Sequence, residues 1–510
     1  MATPQTIAVL GAGTMGAGIA QLAAQMGART LLYDPVAEAR ERALGRITDG
    51  LGRLVARGRL DAGQAEAARA RVELVVDLGE LRGAELVIEA APERLDLKRE
   101  LLASVAEIVG PACVIATNTS SLSVTEIAAA VPEPGRVVGL HFFNPAPVMR
   151  LVEVVPGVET SAEALAVARA VGEAMGKRVV EAADIAGFLV NRVNRPFFLE
   201  ALRLLQEQVA TVEQIDRIYR LGGGFRMGPF ELMDLIGIDT NHAVAEGFLR
   251  QTYGEPRYRP SPIQARMIAA GRLGRKTGRG WYEYGEDAER PADPEPPAAG
   301  GGDGRPVVVS GDGPLADALR AAAREVGWEV QATTPADAGE PWLVVDCGVG
   351  GANGAPRLVL LRDGSLHRLA PGAAGFHALM PFDACRLVEL TRTPVSDARA
   401  VERAEAFVRS LGRHPEWVGD APGLVLGRVV AQLVNEAAFL IGEGNGTPED
   451  VDAGLELGLN HPRGPVAWAD ALGLDHVVGV LDALRGEYGE ERYRAAPLLR
   501  RRLALGRGLR

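Results

Sequence analysis

The chain has 510 residues, 47% of them hydrophobic and 24% charged, with a formal net charge of −11. This is the make-up of a multi-domain globular protein, and the acidic balance argues against nucleic acid or an anionic membrane as the main partner. The opening MATPQTIAVLGAG lacks the basic and apolar regions of an export signal, no apolar run is long enough to span a bilayer, and Cys113, Cys347 and Cys385 show no metal-ligand spacing, so a cytoplasmic protein with free thiols and no metal is expected.

TIAVLG reads as a strand, and Gly11, Gly13 and Gly16 follow it as G-x-G-x-x-G. A helix comes next, with Ile19, Leu22, Ala23 and Met26 on one face, and RTLLYD is a second strand ending at Asp34. In this pattern Gly11 permits the tight turn, Gly13 lets a pyrophosphate approach the backbone, and Gly16 lets helix and strand pack closely. Asp34 is placed to accept hydrogen bonds from ribose hydroxyls and to repel a 2′-phosphate, which selects NAD over NADP. Further strands are expected in AELVIEAAPE, CVIATNTSSLS, RVVGLHFFNP and LVEVVPG, alternating with helices in LDLKRELLASVAEIV and SAEALAVARAVGEAMG. Together they predict a doubly wound α/β domain over residues 1–182. Ligands of such sheets sit at the carboxyl ends of the strands, which makes Glu93, Asn118, Ser120, His141 and Asn144 the candidates.

From 183 the pattern turns helical, with helices expected over 185–208, 212–220 and 240–253 and a loop, LGGGFRMGPFELMDLIG, between the last two. Asn191 then falls in mid-helix, where asparagine is neutral to unfavourable, so a functional role explains it better. RLGRKTGRGWYEY closes this domain at 285; its basic cluster could touch the phosphates of a ligand or be a solvated turn. Residues 286–306, rich in proline, glycine and acids, read as a flexible linker.

The chain then repeats itself. A shift of 236 aligns His141 with His377, Glu153 with Glu389, Gly187 with Gly423, Arg192 with Arg428 and Glu200 with Glu436, while VVVSGDGPL mirrors the first strand and glycine loop at a shift of 300. The second α/β unit, 307–418, has therefore lost roughly sixty residues, and a second helical domain follows over 419–510. In this copy Asp34 becomes Thr334, Asn144 becomes Met380 and Asn191 becomes Gly427, and no NTSSL precedes His377. His377 is expected to be a non-catalytic relic that keeps a structural hydrogen bond to Glu389.

GAGTMGAGIAQ, IEAAPERLDLK, ATNTSSLSVTEIA, GLHFFNPAPVMRLVEVV, AGFLVNRV and MGPFELMDLIGID together resemble the L-3-hydroxyacyl-CoA dehydrogenase family over residues 5–284, and the remainder resembles its long two-copy members. The resemblance implies a Rossmann-type NAD domain, an all-α 6-phosphogluconate-dehydrogenase-like C-terminal domain, and a degenerate second copy of both. It implies oxidation of an (S)-3-hydroxyacyl-CoA, with 3-hydroxyadipyl-CoA expected first and 3-hydroxybutyryl-CoA next. It places the catalytic histidine on His141, its carboxylate partner on Glu153, the catalytic serine on Ser120 and the substrate asparagine on Asn191. It places cofactor contacts on Gly11, Gly13, Met15, Gly16, Asp34, Ala91, Glu93, Lys98, Ser120 and Asn144. A neutral imidazole suits the abstraction of a hydroxyl proton, because its reference pKa of about 6.5 is near working pH. Single-copy relatives pair their helical domains, so 183–285 and 419–510 are expected to form an internal pseudo-dimer, with or without a further homodimer. A dehydrogenase of a free 3-hydroxy acid or sugar acid is the alternative, and an NAD-binding assembly protein without turnover a third reading. A substrate with a terminal carboxylate would want a cation, for which Arg192 and Arg226 are candidates.

Overall fold

Along β1 (Thr6–Leu10), Ile7 and Val9 enter one hydrophobic core while Ala8 and Leu10 enter another. The strand is apolar throughout because both its faces are covered. The computed structural model describes residues 3–285, 288, 292–333, 340–348 and 355–510. The chain forms two units, one of Met1–Arg192 with Asn445–Leu459, the other of Val193–Gly444 with Asn460–Arg510.

In the first unit β1 joins β2 (Arg29–Tyr33), β3 (Val72–Val75), β4 (Leu86–Glu89), β5 (Val114–Thr117), β6 (Val137–Phe142), β7 (Leu151–Pro156) and β8 (Arg178–Glu181). Their order is β3-β2-β1-β4-β5-β6-β7-β8, parallel except for the antiparallel pair β6 and β7. The expected strands are all present. The two that sequence reading passed over, β3 and β8, are the sheet edges. Half-exposed edges carry polar residues such as Glu73, Arg178 and Glu181, which dilutes the apolar signal. The helices Thr14–Gln25, Leu95–Ile108 and Ala162–Ala174 fall where the periodicity put them.

The helix expected over 185–208 is a correction. Gly187 (φ 70°) and Phe188 (φ 52°) are left-handed, and helix forms only at Val190–Val193 and Arg195–Gln206. Asn191 is therefore in the first turn of a short helix and not in mid-helix. The Pro448–Leu459 helix also belongs to this unit, although it was expected in the second helical domain. It lies on β7 and β8, and Arg178 pairs with Asp450 at 2.9 Å.

The second unit holds β9 (Pro306–Ser310), β10 (Glu329–Gln331), β11 (Leu343–Asp346), β12 (Arg357–Leu360), β13 (Ala374–His377), β14 (Leu387–Arg392) and β15 (His414–Trp417). The order is β10-β9-β11-β12-β13-β14-β15, again with one antiparallel pair, β13 and β14. Among the described residues this is the first sheet without a counterpart of β3. Thr334 lies outside the described residues.

In the same unit the Arg195–Gln206 helix packs on the Leu426–Gly442 helix. Between them Arg428, fully buried, meets Glu200 at 2.9 Å and grips Glu207 with two nitrogens at 2.6 and 3.0 Å. A buried guanidinium is tolerable because every charge it faces is opposite and hydrogen-bonded. The Val212–Arg217 helix lies against β15, where Gln214 donates to the Trp417 carbonyl at 2.9 Å and Arg217 pairs with Glu416 at 2.9 Å. The stretch taken for a loop contains a helix, Pro229–Ile236. Its glycines and proline are end signals: Pro229 opens the first turn and Gly237, at φ 103°, closes it. The described part of the linker is anchored, with Asp293 accepting from Arg220 and the Gly300 N–H donating to the Ser410 carbonyl.

Candidate active site

The glycine loop leaves β1 for the helix Thr14–Gln25. Gly11 has φ 100°, and a Cβ there would lie 2.6 Å from the Ala90 carbonyl oxygen. A Cβ on Gly16 would lie 1.7 Å from the Gly11 carbonyl oxygen. Those two glycines are required by the protein's own packing. Gly13 differs: nothing lies within 4 Å of its Cβ position, and no side chain caps the helix that it precedes. The open space and the uncapped N–H groups fit a pyrophosphate. Asp34, at the end of β2, accepts from the Ala12 N–H at 2.8 Å and the Val36 N–H at 2.9 Å, so it also tethers the loop. Met15 is half-buried against the core beneath. These residues fit the adenosine diphosphate half of NAD.

Buried Glu89 organises the next edge of the crevice. It accepts from Lys98 Nζ (2.7 Å), Thr117 Oγ1 (2.6 Å) and the Ala91 N–H (2.6 Å). Lys98 is 1% exposed and also touches the Ala91 carbonyl at 3.3 Å and Glu93 Oε2 at 3.3 Å. Lys98 thus ties Glu89, Ala91 and Glu93 together. Glu93 Oε1 gathers Thr119 Oγ1 (2.7 Å), the Ser120 N–H (2.9 Å), the Ser121 N–H (3.0 Å) and Ser121 Oγ (2.9 Å). Partial burial works against its ionised form, but Lys98 and these donors outweigh it and hold the carboxyl below its ordinary range. The Ser120 hydroxyl reaches the same oxygen at 3.4 Å. Asn118 Oδ1 accepts from the Phe142 N–H at 2.8 Å, which ties the end of β5 to the end of β6. Asn144 is exposed just beyond β6.

His141 and Glu153 face each other across the antiparallel pair β6 and β7. His141 Nδ1 lies 2.6 Å from Glu153 Oε2. Glu153 is wholly buried, and its other oxygen, Oε1, accepts from the N–H groups of Leu189 (3.1 Å) and Val190 (2.9 Å). The left-handed turn at Gly187 and Phe188 brings those two donors round. A carboxylate on Nδ1 makes that nitrogen the proton carrier and leaves Nε2 with the lone pair. The rings of Phe143 and Phe188 flank the imidazole at 4.6 and 5.8 Å. Asn191 directly follows Val190. The structure thus gathers His141 and Glu153 into one dyad and Glu93, Lys98 and Ser120 into one network. Sequence reading missed Glu89, Thr117, Phe143 and Phe188; the apolar run holding Glu89 was the only signal for it.

The second copy corrects an expectation. His377 stands opposite Glu389 in register, but no hydrogen bond joins them: His377 Nε2 meets His476 Nε2 at 3.0 Å and Nδ1 has no partner. The clasp also differs: Val425 donates to Oε2 (2.7 Å) and Leu426 to Oε1 (3.0 Å), while the imidazole turns its Nε2 to His476. Gly427 makes room for the ring, since a Cβ there would lie 2.4 Å from Nε2. Burial pushes the Glu389 carboxyl up to about 8. The native protein therefore holds this proton more tightly than the unfolded chain, and the resulting stability is lost as pH rises from about 4.5 through 8. Glu389→Gln removes that dependence. Its melting temperature should gain on the wild type steadily between about pH 5 and pH 9, a comparison that scanning fluorimetry can make.

The basic turn at 272–279 is paired within the protein: Lys276 with Asp239 (2.6 Å), Arg275 with Glu231 (3.5 Å) and Arg279 with Glu283 (3.0 Å). This favours the solvated turn over a CoA contact. Among the described residues no group of His, Cys, Asp and Glu is placed to hold a metal, and no helix is long and apolar enough to cross a membrane.

Comparison with known proteins follows the same division of the chain. The sequence pattern described as "3-hydroxyacyl-CoA dehydrogenase, NAD binding domain" matches residues 6–185. That of the "3-hydroxyacyl-CoA dehydrogenase, C-terminal domain" matches twice, at 187–284 and 423–509. The chain is 39% identical over 509 residues to the 3-hydroxyadipyl-CoA dehydrogenase of Escherichia coli K12, spanning 100% of this chain and 99% of that one. A probable 3-hydroxybutyryl-CoA dehydrogenase of Bacillus subtilis is 42% identical over 280 residues, covering 55% of this chain and 97% of its own. The crystal structure of a 3-hydroxybutyryl-CoA dehydrogenase from E. coli K12 superposes with a TM-score of 0.85 at 38% identity, covering 99% of both chains.

Proposed function

Because the chain belongs to the 3-hydroxyacyl-CoA dehydrogenase family, we propose that His141, Glu153, Ser120 and Asn191 carry its NAD-dependent oxidation of an (S)-3-hydroxyacyl-CoA to the 3-oxoacyl-CoA. NAD, when bound, accepts the hydride from C3. The observation that carries this reading is the 2.6 Å bond from His141 Nδ1 to a wholly buried Glu153. His141 Nε2 takes the hydroxyl proton as the hydride leaves, and Glu153 holds the ring's tautomer and stabilises the imidazolium. Ser120 and Asn191 hold the substrate oxygen by hydrogen bonds. Phe143 and Phe188 keep water from the ring. Gly11, Gly13, Gly16, Met15 and Asp34 hold the adenosine half of the cofactor, and Ala91, Glu93, Ser120 and Asn144 line its nicotinamide half.

The substrate that we favour is 3-hydroxyadipyl-CoA, on the strength of end-to-end likeness to the two-copy relative of that name. A higher kcat/KM for 3-hydroxyadipyl-CoA than for 3-hydroxybutyryl-CoA is the expected result. Arg192→Ala or Arg226→Ala should erase that preference. Equal constants for both substrates would leave the short-chain reading.

The two helical segments read as an internal pseudo-dimer, supported by the packing of Arg195–Gln206 on Leu426–Gly442 around Arg428. The second copy reads as a degenerate one, kept for that pairing. A chain ending at residue 290 should therefore be unstable and inactive; a stable, active monomer by light scattering would refute the pseudo-dimer. Three buried, unpaired thiols, with Cys113 and Cys347 pushed by burial to about 12, support a reducing, cytoplasmic setting.

A further inference from the structure

The Pro448–Leu459 helix comes from the second half of the chain and packs within the first unit. Its Gly454 and Gly458 are four residues apart, hence on one face. Glycine disfavours a helix relative to alanine, so two on one face need a reason. A Cβ on Gly454 would lie 2.9 Å from Leu189 Cδ2 and 3.0 Å from Val190 Cγ2. A Cβ on Gly458 would lie 2.9 Å from Leu151 Cδ2 and 3.4 Å from the Phe143 ring. These are not arbitrary neighbours. Leu189 and Val190 supply the two N–H groups that hold Glu153, Leu151 starts the strand that carries Glu153, and Phe143 packs on His141.

We propose that Gly454 and Gly458 are positioning residues for the His141–Glu153 dyad, so that the second half of the chain completes the catalytic site of the first. This rests on the dehydrogenase reading above. The close approach of the helix fixes Leu189 and Val190 from behind. Their N–H groups then both reach Glu153 Oε1, and Oε2 faces His141 Nδ1. In the second copy the two N–H groups divide between the oxygens and the histidine bonds His476 instead.

The repeat supplies an internal control. Gly222 is the counterpart of Gly458 at the shift of 236, and its Cβ position lies 2.8 Å from Leu426 Cδ1 and 3.6 Å from Leu387 Cδ2. Leu387 is the counterpart of Leu151 and Leu426 that of Val190. Gly222→Leu thus disturbs the same kind of packing against a dyad that does no chemistry.

The experiment compares full-length wild type, Gly458→Leu, Gly458→Ala and Gly222→Leu by steady-state kinetics across pH, with acetoacetyl-CoA and NADH, and by melting temperature. Gly458→Leu should lower kcat by about 10- to 100-fold, as ångström-scale misplacement of a base does, with KM for NADH within about two-fold. It should also move the alkaline limb of the kcat/KM profile, where His141 loses the proton that it gives to the ketone in this direction. Gly458→Ala should show a smaller loss in the same direction, and Gly222→Leu should lower the melting temperature with kcat within about two-fold. Equal kcat losses in Gly222→Leu and Gly458→Leu, or an unmoved pH profile, overturn the proposal. If leucine at 458 leaves no folded protein, Gly458→Ala decides, and unchanged kcat there overturns it. A wild type that binds NADH but turns over no acyl-CoA overturns the underlying dehydrogenase reading instead.

Discussion

Replacing His141 with alanine lowers kcat for NADH oxidation with acetoacetyl-CoA by about 10²- to 10⁴-fold, the range that a positioned acid–base group supplies. NADH still binds, because the glycine loop and Asp34 stand on other strands. His377→Ala, by contrast, leaves kcat within about two-fold, since that ring is wholly buried and bonded to His476. Burial and the neighbouring His476 hold His377 far below the ordinary imidazole range, so it stays uncharged and does not take up a proton at working pH. Loss of activity in both variants would mean that the second copy does chemistry.

Glu153→Gln is expected to cost nearly as much as His141→Ala, while Glu153→Ala costs stability as well. In the glutamine variant Oε1 can still accept from Leu189 and Val190. The amide NH2 then faces His141 Nδ1 in place of Oε2 and donates to it. The imidazole must carry its proton on Nε2, where it cannot take one from the substrate. A tautomer reversed in this way costs on the order of 10⁴ in kcat in triad enzymes. The alanine variant also strands two buried N–H groups, at about 1–3 kcal/mol each. Its melting temperature should fall well below that of the glutamine variant. Equal melting temperatures would show that the clasp contributes nothing to folding, and near-normal kcat in Glu153→Gln would remove the carboxylate from the mechanism.

The parts of the site that sequence alone reveals are those whose constraint is local. Gly11 and Gly16 are dictated by atoms a few residues away or on the adjoining strand, and the motif records them directly. His141 and Glu153 sit opposite in a strand pair whose apolar runs are plain in sequence. What escaped has no local trace. For Lys98 the resemblance offers a cofactor contact, and only the fold sets it on Glu89. The shift of 236 assigns each residue a counterpart, yet does not say which copy's helix lies on which sheet. Nor does it foretell that one histidine bonds its carboxylate while the other turns to a second histidine.

The division of the first unit has a consequence for synthesis. Its last piece, Asn445–Leu459, is separated from Arg192 by about 250 residues. At about 5–20 residues per second, a ribosome needs roughly 10–50 s to deliver that helix after Arg192 has been made. Until then β7, which begins at Leu151, and the turn at Leu189 and Val190 lack the helix that packs on them. The nascent chain therefore waits in a half-built state, and chaperone demand should fall within that interval and end when residue 459 clears the exit tunnel.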